Sequence, residues 1–239
     1  MIRRTLAVGS AVVWLACFAL ARAVAAPPFD ASLPAKSRCV VAIEAVRPTQ
    51  FAVGYREVEE RARNILGKSP KKLEQYMAEH VPLLVVGPGG VPYLIDGHHL
   101  ALALVKHRVT DRFEARIEAN WRDLSPAEFW KNMRRRGWVY LYDNQGHGPL
   151  DPDRLPRKVS ELTDDPYRSL AWEVRKRGGY GKTNAPHAEF EWANYFRSRI
   201  AIGSAPGDFN RAVEAALAIS RLPAAKDLPG YDPEGAVKQ

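Results

Sequence analysis

The chain has 239 residues, a formal charge of +8 and two cysteines. That length suffices for one sizeable domain or a domain with an appendage, and the moderate basic balance suits anionic ligands without by itself indicating nucleic-acid binding. Beyond the N-terminal leader only Cys39 remains, which excludes an intramolecular disulfide there and leaves stability to a packed core.

Met1-Ile2-Arg3-Arg4 is a basic start, Thr5 to Leu20 is almost wholly apolar, and Ala23-Val24-Ala25 is a small-x-small cleavage pattern. Residues 1–26 therefore read as a secretory signal, and the mature protein is expected in the periplasm or outside the cell. An uncleaved membrane anchor is the rival reading. Cys17 does not mark a lipoprotein site, because Trp14 stands three residues before it, where leucine is usual. Removal of the signal takes away Arg3, Arg4 and Arg22 and no acid, so the charge of +8 becomes +5. No later stretch approaches the roughly 18 apolar residues that a membrane span needs.

Residues 27–37 are proline-rich and read as an extended leader. Arg38 to Val46 reads as a first strand in which Cys39 is buried, and Pro48 disfavours continued pairing. From Tyr55 the period becomes helical, with Val58, Ala62, Ile65 and Leu66 on one face and Gly67 closing it. Ser69-Pro70 starts a second helix whose inner face is Leu73, Tyr76, Met77 and His80; the lone His80 reads as a satisfied core residue. Lys68, Lys71 and Lys72 cluster at the start of that helix, where the dipole favours acids, so either an anion visits or the face is simply solvated.

Val81 to Val86, the turn Gly87-Pro88-Gly89-Gly90 and Val91 to Ile95 read as a hairpin. Leu100 to Val105 then reads as a buried helix beginning near His98 or His99. Phe113, Ala115, Ile117, Ala119 and Trp121 alternate with polar residues as a half-buried strand, and Ser125-Pro126-Ala127-Glu128 opens a helix to about Gly137 with Phe129, Trp130 and Met133 inside. Residues 143–164 are too long for an ordinary connection and read as a functional loop or a boundary. The expected organisation is thus a domain over 38–142, a helical C-terminal subdomain over 165–222 and a tail over 223–239. In the subdomain, helices are expected over Asp165 to Lys176, Glu189 to Ile200 and Asp208 to Arg221.

The chemistry concentrates at Asp96-Gly97-His98-His99, a strand-to-helix turn. Helix-start amides and the positive dipole end make such a turn an anion or phosphate seat, with Gly97 and His99 as phosphate contacts and one acid and two imidazoles for acid–base work. The alternative is structural: Asp96 caps the helix and His98 covers its first turn. Metalloprotease-type zinc spacing is absent, but Asp96 with ligand oxygens and water could hold a divalent ion such as magnesium. No motif places Cys39 near a base, and no Gly-x-Ser-x-Gly elbow occurs.

The turn, the preceding Arg47-Pro48-Thr49-Gln50-Phe51-Ala52-Val53-Gly54, and the later Asp164-Asp165-Pro166-Tyr167-Arg168-Ser169-Leu170-Ala171 and Glu189-Phe190-Glu191-Trp192-Ala193 occur in one order. Together they resemble the ParB/sulfiredoxin superfamily, specifically its ParB-like nuclease branch, over about residues 38 to 200. The resemblance implies a compact α+β domain, a small mixed sheet packed with helices, holding a nucleotide or phosphate at the central turn. Departures narrow the chemistry. Partition proteins carry Gly-Glu-Arg-Arg where this chain has Gly97-His98-His99-Leu100, and sulfiredoxin-like enzymes carry a cysteine at the position of His98. Free-serine kinases of the superfamily use a glutamate near the place of Thr49 or Gln50, and Gln50 is no general base.

Two functions follow. One is a metal-assisted nuclease or other phosphohydrolase acting on nucleic acid or nucleotide, with Asp96, His98 and His99 catalytic and Lys68, Lys71, Lys72 and Arg168 adding positive charge. The other is a non-catalytic module of the same fold that binds phosphate or nucleotide, or serves assembly.

Overall fold

The computed structural model describes residues 26–235; residues 1–25, which hold nearly all of the expected signal, and the last four residues of the tail lie outside them. A five-stranded mixed sheet organises the N-terminal part. Its strands are β1 (Arg38–Ala42), β2 (Arg47–Pro48), β4 (Leu83–Val86), β5 (Pro92–Asp96) and β6 (Arg112–Asn120), in the order β1-β6-β4-β5-β2. β1 runs antiparallel to β6, β6 parallel to β4, β4 antiparallel to β5, and β5 parallel to β2. The expected hairpin is the β4–β5 pair. In β6 the alternation is complete, with Phe113, Ala115, Ile117 and Ala119 buried between partly exposed polar residues.

β1 stops at Ala42, because Ile43–Ala45 tightens into a 3-10 turn before the chain re-enters the sheet as β2. Pro48 does pair, with Leu94, contrary to expectation; a residue without an amide proton is tolerated there because β2 is an edge strand. A second, two-stranded ladder joins β3 (Ala52–Val53) to β7 (Thr163–Asp164) in parallel.

Helices cover both faces of the sheet. On one, α1 (Tyr55–Leu66), α2 (Pro70–Glu79) and α3 (His98–Lys106) enclose a core that includes Val58, Ile65, Leu84, Leu94, Leu100 and Leu104. On the other, α4 (Pro126–Arg135) buries Phe129 and Met133 against Val85, Tyr93 and Ala119. Ser125 and Glu128 form the expected capping box at its start. A further core gathers α5 (Pro166–Lys176), α6 (Ala188–Arg197) and α7 (Asp208–Ser220) around Leu170, Trp192, Phe196 and Val213. The small mixed sheet with seven α-helices among the described residues is the expected α+β class.

Two inner-face expectations fail. Leu66 is 60 % exposed, since the last turn of α1 rolls it past the core edge. His80 is exposed rather than buried, stacked on Tyr76 with ring centroids 4.1 Å apart. In α6 the helix ends at Arg197, short of Ile200. Residues 143–164 are stitched to the sheet domain: Val159 and Leu162 enter the first core, and Leu155 joins the core beneath α4. Among the described residues, no helix is long and apolar enough to cross a membrane.

Candidate functional site

The change from strand to helix at Asp96–His98 turns on Gly97, whose φ of 96° lies in the left-handed region open to glycine. A Cβ there would also come within 3.1 Å of Pro82. Asp96 is exposed, and its Oδ1 accepts from the Gly97 amide at 2.8 Å. The acid braces its own turn. His98 and His99, one residue apart on α3, point into the protein instead.

His98 is 5 % exposed; its Nε2 accepts from the Thr49 amide at 3.2 Å, and the Leu94 carbonyl engages the ring as well. Burial pushes its pKa down to about 3, and the neighbouring rings of His99 and His187 add to the drop. A neutral imidazole with its two nitrogens spent on backbone ties β5 to the chain that follows β2. His99 accepts from the Gly54 amide at 3.2 Å through Nε2, which also lies 3.4 Å from Glu57 Oε2. That approach depends on Gly54 packing against α5, where a Cβ would meet the Ser169 amide nitrogen at 2.8 Å.

Glu57 belongs to the first turn of α1, where the helix dipole favours a carboxylate. Its Oε1 accepts from Arg61 Nη2 at 2.9 Å, one helical turn on, and Oε2 accepts from Arg168 Nη2 at 3.4 Å. Burial alone would raise the Glu57 pKa, but His99, Arg168 and Arg61 outweigh it and hold the carboxyl at about 2. For His99, burial is the largest influence and lowers its pKa to about 3; Glu57 opposes this, while Arg168 and Arg61 reinforce it. The pair is therefore an ionised carboxylate beside a neutral imidazole.

Glu189 extends the cluster, 3.7 Å from Arg168 and 3.0 Å from Arg175. Arg168 is only 6 % exposed, and its Nε and Nη1 are buried without an acceptor among the described residues. Leaving such donors unsatisfied costs about 1–3 kcal/mol each. Helices α1, α3, α5 and α6 thus converge on Glu57, His99, Arg168 and Glu189.

Of the residues expected at the site, the structure brings His99 and Arg168 together and places Gly97 at the turn behind them. Lys71 and Lys72 stay exposed on α2 and Lys68 lies half-buried just before it, its Nζ 5.3 Å from the Tyr76 ring centroid; none of the three contacts the 96–99 turn among the described residues. Glu57, Arg61, Arg175 and Glu189 were not expected. Spacing carried a signal for two of them: Glu57 and Arg61 lie on the stripe that ends in the core residue Ile65. Gln50 donates to the Ala52 carbonyl at 2.8 Å, and Glu57 supplies a carboxylate from the helix beyond. Among the described residues, no three His, Cys, Asp or Glu side chains converge as a metal site. Asp96 alone offers an ion one carboxylate, half engaged with Gly97.

The comparisons agree with this architecture. A family model described as "Putative ParB-like nuclease" matches residues 39–198. The crystal structure of protein Atu1540 from Agrobacterium tumefaciens is similar, with a TM-score of 0.73 and 35 % sequence identity over 82 % of this chain and 97 % of that one. No curated protein matches the chain. The match spans the sheet, the central turn and helices α5 and α6, and the chain belongs to the ParB-like nuclease family.

Proposed function

We propose that this chain is an exported phosphodiester hydrolase of nuclease type, working at the inner side of the 96–99 turn. The observation that carries the reading is Arg168: a buried guanidinium whose Nε and Nη1 find no acceptor among the described residues, set beside an ionised carboxylate and a neutral imidazole. Guanidinium recognises phosphate oxygens through paired N–H groups, and a dry setting strengthens that attraction. In this reading Arg168, with Arg61 and Arg175 on the more open rim, holds the phosphate and stabilises the charge that builds on it. His99 Nε2, released from the Gly54 amide as substrate enters, takes a proton from the attacking water. The resulting imidazolium faces Glu57 at 3.4 Å, so the acid stabilises the charge that proton transfer creates. The new bond is water oxygen to phosphorus, the broken one is phosphorus to the leaving oxygen, and the proton on His99 returns to that oxygen. Among the described residues Asp96 is the one carboxylate at the turn open to an ion, and the acid–base work falls to His99 and Glu57. Export rests on the leader sequence.

A second reading, binding without turnover, is favoured by the closure of the site, since the His99 side chain is 12 % exposed. Mature protein incubated with single- and double-stranded DNA, RNA and nucleotides, with divalent ions or a chelator, separates the two. The hydrolase reading expects turnover abolished in His99→Ala and Glu57→Gln. Turnover that survives His99→Ala removes the site assignment. Absence of turnover, with a phosphate-induced rise in Tm that Arg168→Lys abolishes, establishes the binding module.

A further inference from the structure

The opposite face of the sheet carries a second concentration of unneutralised charge. A cleft of about 320 Å³ opens between the edge strand β2, β5 and α4, and Arg47, Pro48, Tyr93, Trp130, Asp153 and Arg157 are among its lining residues. Neither Arg47 nor Arg157 makes an ion pair through its guanidinium among the described residues. Trp130 stands half-buried, edge-on to Tyr93 at 5.4 Å. One helical turn beyond it on the same flank of α4 is Arg134, and the outer face adds Lys131 and Arg135, all exposed. On the other flank Trp121 and Trp138 stack at 5.4 Å, and the Arg136 guanidinium lies 4.8 Å from the Trp138 ring centroid. The nearby acids are largely engaged, Asp123 with Arg122 and Glu128 in the capping box; Asp153 is the acid lining the cleft.

Indole rings interleaved with guanidinium groups that make no ion pair among the described residues suit a polyanion with stacking faces. We propose that this cleft and the outer face of α4 form a landing surface for single-stranded nucleic acid, with an unstacked base against Trp130, its phosphate on Arg47 and Arg157, and the backbone continuing over Arg134 and Arg135. A duplex keeps its π-faces inside the stack and cannot use Trp130 in this way. The surface connects to the site through the edge: Arg47 lines the cleft, and two residues on, Thr49 donates its amide to His98. The assignment of nucleic acid rests on the nuclease reading above, and it locates where such a substrate docks.

Fluorescence anisotropy of a labelled short oligothymidine with the purified chain, in chelator, reads binding apart from turnover. Expected are affinity that falls with added salt, a loss of at least about tenfold in the exposed double variant Arg134→Glu/Arg135→Glu with a shallower salt slope, and about a tenfold loss in Trp130→Ala that Trp130→Phe largely restores. Thermal melts of each variant exclude misfolding as the cause. The proposal is overturned by no binding at low salt, by duplex bound more tightly with no Trp130 dependence, or by dextran sulfate bound equally well with the same indifference to Trp130. A small chromogenic phosphodiester separates the two readings. Its hydrolysis with no oligonucleotide binding removes the surface and keeps the catalytic site, whereas oligonucleotide binding without any hydrolysis keeps the surface and removes the catalysis.

Discussion

The His99 imidazole nitrogen lies 3.4 Å from the Glu57 carboxylate, and the two residues come from helices that the sequence separates by α2 and the β4–β5 hairpin. Glu57 is also the counter-charge of Arg61 and Arg168, so Glu57→Gln keeps the shape while stranding two guanidinium groups. Removing one partner of a buried ion pair costs about 3–5 kcal/mol, and urea unfolding should show a loss near the lower end because Arg61 remains partly open to water. The double variant Glu57→Gln/Arg168→Met should lose less than the sum of the two single variants, since it strands no deep guanidinium. Simple additivity would mean that the two residues do not share a network.

That relationship was the least legible part of the chain. The turn at Asp96–His99 could be read directly, because glycine marks the change from strand period to helix period. The helices around it followed from caps such as Ser125-Pro126 and Asp165-Pro166. Glu57 gave only a spacing hint, since an acid in the first turn of a helix is ordinarily a solvated residue favoured by the dipole. Arg168 was placed at the site only as added positive charge, and nothing in its local sequence says that α5 turns it inward over α1. The β3–β7 ladder escaped for another reason: two-residue strands carry no period, and Ala52 meets Thr163 only because the segment between 143 and 164 folds back.

Acid should weaken the fold earlier than carboxylate titration alone predicts. His98 and His99 are held neutral, with folded pKa values of about 3 against an ordinary 6.5. The unfolded chain therefore binds protons that the native chain refuses, and stability falls as pH drops below 6.5, by up to about 1.4 kcal/mol per pH unit for each such histidine. Glu57, lowered from 4.5 to about 2, stabilises fully above 4.5 and loses that contribution as pH falls toward 2. Urea midpoints between pH 7 and 5 should decline in the native chain, and the decline should be shallower in His98→Gln. A flat profile over that interval would contradict neutral buried imidazoles.

Gly54 joins α1 to α5 at backbone distance. Gly54→Ala would place its Cβ 2.8 Å from the Ser169 nitrogen and 2.9 Å from its hydroxyl oxygen. Neither helix can yield without moving its start, so the variant should lose about 1–3 kcal/mol. The same displacement draws the Gly54 amide away from His99, so turnover or phosphate response should fall at a temperature where the variant is still folded. A stability loss with an unchanged site response would show that His99 is held by other contacts.

The two adjacent histidines should behave differently on replacement. His98 spends its ring on the Thr49 amide and the Leu94 carbonyl, so His98→Leu leaves the amide buried without its acceptor, at a cost of about 1–3 kcal/mol. Its nitrogens face backbone rather than the Arg168 donors, so the rise in Tm produced by inorganic phosphate should persist in this variant from its lower starting point. His99→Leu removes the imidazole beside Glu57 and leaves the Gly54 amide without that acceptor. Its phosphate response should shrink, because the carboxylate then faces the incoming anion without the ring between them. Equal phosphate responses in the two variants would place the anion away from α3 and leave both histidines as braces.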